Sequence, residues 1–95
     1  MEKRHPTHVP GYYGPAEQLG QRIGGLRYDI NLAIDRALIQ EYARQARADR
    51  KAGHPQLARL LNQRVRIMQK AARNMERIYN LCRDKPGMLD EETFV

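Results

Sequence analysis

Five cations carry the clearest chemical signal in this chain. Arg59, Arg66, Lys70, Arg73 and Arg77 follow one another at intervals of seven, four, three and four residues. At about 100° per residue, that spacing gathers them into a sector of roughly 60° on one side of a helix, opposite its apolar face. The row spans about 27 Å at 1.5 Å per residue. Guanidinium and ammonium groups aligned this way present hydrogen-bond donors and positive charge to an anion, and arginine does so bidentately. Asn62, Gln63, Gln69 and Asn74 flank the row, and such amides contact phosphate, sugar or base edges. The plain reading of a charge row is a solvated face. The chemical reading is a surface for an anionic partner, either an acidic protein or RNA or DNA.

Other chemistry finds no footing. The chain has no serine, and its aliphatic hydroxyls are Thr7 and Thr93, both in terminal segments. Cys82 lies on an apolar stripe near a helix C-terminus, the wrong end to stabilise a thiolate, and reads as a small core residue. Asp29, Asp35 and Glu41 are scattered among arginines and form no acid/base pair. His5 and His8 are separated by Pro6 and Thr7, with no second cluster to complete a ligand set, and His54 opens a helix. No helix-turn-helix, zinc-finger or stacking-platform motif is present. The expectation is therefore no catalytic residue, no metal, no cofactor and no small-molecule substrate.

Ninety-five residues make one domain at most. About seventy of them are left for a core once the Pro- and Gly-rich ends are set aside, and a core of that size is marginal without disulfides, metal or a partner. One cysteine allows no intrachain disulfide and fits a reducing compartment, cytoplasmic or inside an organelle. Residues 1–6 lack the apolar run of a secretory signal, and nothing approaches eighteen consecutive apolar residues. The reading is an intracellular protein, neither secreted nor transmembrane. The net charge of +6 divides unevenly: +1 over residues 1–14, +8 over 15–83 and −3 over 84–95. Thirteen arginines accompany four lysines, a bias that a GC-rich coding sequence also produces.

The elements that position these residues follow from the breakers. Pro6, Pro10, Gly11 and Gly14 make residues 1–14 an extended tail carrying Tyr12 and Tyr13. Pro15 suits the first position of a helix, with Gly14 as its cap. Gly20, Gly24 and Gly25 weaken that helix, so either a kink or a short helix followed by a longer one is expected. Gly53-His54-Pro55 stops one helix and starts the next, and so short a connection makes the two antiparallel neighbours. The second long helix runs from Pro55 to about Arg83. The predicted organisation is a tail over 1–14, an all-α antiparallel helical hairpin over 15–84 with its turn at 53–55, and an acidic tail over 85–95. That tail ends Glu92-Thr93-Phe94-Val95, a pattern of the kind that carboxylate-capturing, strand-adding domains read, although four residues recur by chance.

The apolar faces carry the rest. On the second helix Leu57, Leu61, Val65, Met68, Ala72, Met75, Tyr79 and Cys82 form a stripe, which Leu60, Ile67, Ala71 and Ile78 widen to roughly 160°. Two antiparallel strands of a coiled coil need less. Arg64 lies inside the stripe and is expected to snorkel or to pair with Glu41 or Asp29. The first helix shows two stripes on nearly opposite sides. Leu19, Ile23, Leu26, Ile30, Ala33, Ile34 and Ala37 form one. Tyr28, Leu32, Ile39, Tyr42 and Ala46 form the other, which is assigned to a protein interface. A hairpin covers one stripe; the other calls for a second copy, a foreign protein or the chain's own tails. Membrane-surface binding ranks behind these, because the apolar face lacks Trp and Phe. The sequence thus reads as a small non-catalytic assembly subunit. It docks through apolar helix faces, on itself or on a larger complex, and shows a basic face to an anionic partner. The alternative is a dimeric nucleic-acid-binding module.

Overall fold

The computed structural model describes residues 5–84. They form three helices and no strand: α1 over Ala16–Gly24, α2 over Tyr28–Lys51 and α3 over Pro55–Asp84. The helices α2 and α3 pack together along their length as the hairpin. Of the two outcomes open at Gly24-Gly25, the short helix followed by a longer one is the one observed. Pro15 sits one place earlier than expected. It is the N-cap, in extended conformation, and its carbonyl accepts from the N–H groups of Gln18 and Leu19 at 3.2 Å.

Three local devices shape the hairpin. At the α1–α2 junction, Arg27 grips Asp29 through two hydrogen bonds of 2.9 and 2.8 Å, and Asn31 Nδ2 donates to the Leu26 carbonyl at 2.9 Å. At the turn, Gly53 adopts φ +88°, the left-handed conformation that ends a helix. The His54 N–H then reaches the Asp49 carbonyl at 2.8 Å and the Gly53 N–H reaches that of Arg50 at 3.2 Å, the paired bonds of a Schellman motif. The His54 carbonyl accepts the Ala58 N–H at 3.0 Å and starts α3. Further along, Arg36 crosses to Glu76 at 2.7 Å and reports the antiparallel register directly.

The seam is thin. Leu32, Ala46, Ala58, Val65, Ala72 and Cys82 are buried, and among the described residues no large side chain is completely enclosed. Ala46 and Ala58, at 1% and 0% exposure, let the two backbones approach near the turn. Residues 5–14 do not trail away from the hairpin. Val9, Tyr12 and, from α1, Leu19 share a groove with Leu38 and Tyr42 of α2. Tyr12 is pinned there by its hydroxyl, which donates to the Pro15 carbonyl at 3.0 Å, and by Arg22, whose guanidinium stands 5.6 Å from the ring centre. The whole measures 52 × 29 × 15 Å, a single layer of helices. Layered domains enclose a core between two such layers.

Candidate anion-binding face

The hairpin has two unlike sides, and helical geometry says which residues go to each. Arg36, Gln40, Gln69, Arg73 and Glu76 rim one shallow groove over Ile39 and Ala72 of the seam, and Arg47, Arg50, Lys51 and Asn62 rim another over Ala46 nearer the turn. Both grooves lie on the flank reached by moving in the same rotational sense around each helix. In an antiparallel pair that sense leads to one common side. This side is polar.

The five cations belong to it. Arg73 lines the groove itself, and Arg59, Arg66, Lys70 and Arg77 fall in the same sector of α3. All five are exposed. Among the described residues none of them enters an ion pair, and four of the acids are held by other arginines. Asp29 is bound by Arg27, Glu76 by Arg36, Asp84 by Arg83 and Glu41 by Arg44. The Arg27 guanidinium holds the Asp29 carboxyl below the usual carboxylate range. Hydrogen bonds from Arg44, and then from Gln45, hold Glu41 down at about 2. Each of these four acids has its own arginine partner, and none of them pairs with the stripe on α3. A row of exposed cations on one edge raises the local concentration of an anionic partner and steers its approach.

The residues assigned to a protein interface lie elsewhere than expected. Leu32 is 6% exposed and Ala46 is buried within the chain itself. Tyr28 shares a groove with Tyr79 and Cys82, and Ile39 shares one with Ala72 and Gln69. Tyr28, Leu32, Ile39 and Ala46 therefore line the hairpin seam, and Tyr42 sits between α2 and the N-terminal segment. The physical reason is that an antiparallel partner of 30 residues takes whichever stripe continues furthest, and this stripe runs the length of α2. The other stripe is interrupted. Leu19 and Ile23 are on α1, half-buried, while Leu26, Ile30, Ala33 and Ala37 remain exposed. Arg64 pairs with neither Glu41 nor Asp29, both already engaged, and stands exposed.

The side opposite the cations is apolar. From α3 it takes Leu57, Leu61, Arg64, Met68, Ala71, Met75 and Ile78, with Leu60 and Ile67 beyond them at 57% and 67% exposure. This second α3 row was visible in the sequence as the unusual width of the stripe, and its large apolar side chains are half-buried. Among the described residues no group of three or more His, Cys, Asp or Glu side chains gathers as metal ligands, and no helix is long and apolar enough to cross a membrane. No family model matches the chain, nor does any curated protein or solved structure.

Proposed function

We propose that this protein is a small non-catalytic docking subunit that brings an anionic partner to a helical assembly. The observation that carries the reading is the division of one thin hairpin into two sides. One side shows an apolar row on α3 that the chain covers only in part, with Leu60 and Ile67 exposed beside it. The other shows five exposed cations, none of them in an ion pair among the described residues. A solvated face accounts for the charge but not for the apolar side. Exposed apolar side chains grouped beside a half-buried apolar row favour an association site.

A second reading, a nucleic-acid-binding module, draws on the exposed amides of Gln63, Gln69 and Asn74 beside the stripe. One titration separates the two. Binding of duplex DNA, single-stranded RNA and polyglutamate is followed by fluorescence anisotropy across salt concentration. For a nucleic-acid surface, each phosphate contact adds about 0.9 to the slope of log affinity against log salt on duplex, and about 0.7 on a single strand. Replacing Arg66, Arg73 and Arg77 together by Gln is then expected to lower the slope by roughly two to three units, alike for all sequences. Preference for polyglutamate points to an acidic protein partner. If none of the three polyanions binds at low salt, the charged face has no such role.

A further inference from the structure

The apolar side of α3 has its own seam pattern, and that pattern names its occupant. Leu57, Leu61, Arg64, Met68, Ala71, Met75 and Ile78 are spaced four, three, four, three, four and three residues apart. This is the heptad spacing of a packed helix interface. It runs beside the row facing α2, in which Ala58, Val65 and Ala72 are buried. A helix in a hairpin uses one such row. A helix in a four-helix bundle, touching two neighbours, uses two.

We infer that the second neighbour is α3 of another copy of this chain, crossing antiparallel about a twofold axis near Ile67 and Met68. This rests on the docking-subunit reading and identifies what covers its apolar side. Two observations support a second copy over a foreign helix.

The row is complementary to its own reverse. In an antiparallel pairing centred between Ile67 and Met68, Leu57 meets Ile78, Leu61 falls within one residue of Met75, and Met68 falls beside its own copy. Such mutual matching is what an isologous contact requires. Arg64, the one charge in the row, then meets Ala71, the one small residue, which leaves its side chain room to pass to solvent. The two Arg64 positions are offset by seven residues, about 10 Å along the axis. That is close to the screening length at about 0.1 M salt.

The charge permits it. Two chains of net charge +6 repel as wholes. But the five cations are on the far side of each hairpin, so pairing through the apolar sides turns both stripes outward.

The test uses the full chain. Sedimentation from about 1 to about 100 µM is expected to give a species near twice the chain's 11.1 kDa, and Ile67→Asp is expected to shift it to the monomer. A folded, helical monomer across that range overturns the pairing, as does an Ile67→Asp chain that stays dimeric. Cross-linking supplies a second arm that does not depend on the folding of Ile67→Asp. In a Cys82→Ala background, Ile67→Cys is expected to form a disulfide with its own copy rapidly under mild oxidation. Leu57→Cys and Arg66→Cys are expected not to, being about 30 Å from their copies and on the opposite side, respectively. Rapid self-linking of Leu57→Cys would mean parallel pairing and overturn the arrangement. A monomer that still binds polyanions with a steep salt slope overturns the pairing alone. A dimer that binds no polyanion overturns the anionic-partner function and leaves the pairing standing.

Discussion

Gly53 holds φ +88° with no atom placed to meet an added Cβ, so the cost of replacing it comes from its backbone alone. Gly53→Ala is expected to lower stability by about 1 kcal/mol, or a melting temperature lower by about 4–8 °C for a domain this size, with helix content unchanged. Ala58 is the opposite case: its backbone is ordinary and its surroundings are full, at 0% exposure. Ala58→Leu overpacks the closest approach of the two helices and is expected to cost about 1–3 kcal/mol in urea melts. Glu41 gives a pH signature. Its carboxyl is held at about 2 by the Arg44 hydrogen bonds, against an ordinary value of 4.5. A depressed acid contributes stability that is present above its unfolded value and lost as pH falls through its folded one. That contribution therefore fades between about 4.5 and about 2. An NMR titration of the Glu41 side chain should show its midpoint at the low end, returning toward the ordinary value in Arg44→Ala. Asn31 was the residue least visible beforehand. It is a buried amide whose bond to the Leu26 carbonyl closes the α1–α2 junction. Nothing in hydrophobic periodicity marks a polar side chain that satisfies a neighbouring backbone group.

At the scale of elements, the helix boundaries were legible because glycine and proline act locally. Gly53 and Pro55 fix the turn whatever packs around it. The cationic row was legible for a related reason: a face opposite an apolar stripe is solvent-facing with or without a partner. The role of each stripe on α2 was not legible. Periodicity marks faces but not neighbours, and Leu32 and Ile34 look equally apolar until α3 is laid against one of them. The consequence is a reversed mutational expectation. Leu32→Asp and Ile39→Asp, read from sequence as changes to a partner surface, are now expected to remove most helical circular dichroism, since Leu32 has no route to water within the seam. Ile30→Asp, on the exposed stripe, is expected to leave stability within about 0.5 kcal/mol of the parent. The Arg36–Glu76 bridge, exposed at both ends, is a register marker more than a brace, and Glu76→Gln is expected to cost no more than about 1 kcal/mol.

As a whole, the molecule joins its two long helices at one end only, through the turn closed by Gly53. Every contact across the seam lies farther from that turn in sequence as it lies farther from it in space: Ala46 sits near Asn62, Arg36 meets Glu76, and Tyr28 approaches Tyr79 and Cys82. Closing each successive contact lengthens the loop by a few residues that are already ordered, so its added entropic cost is small. The chain is therefore a zipper with a single starting point. Folding should run from the turn outward and be fast, as it is for proteins whose contacts are local in sequence. Opening should run the other way. Amide hydrogen exchange is expected to be slowest around Ala46 and Val65 and to quicken steadily toward Tyr28 and Cys82. The hairpin then has a fixed direction of fraying, with a tight end and a breathing end.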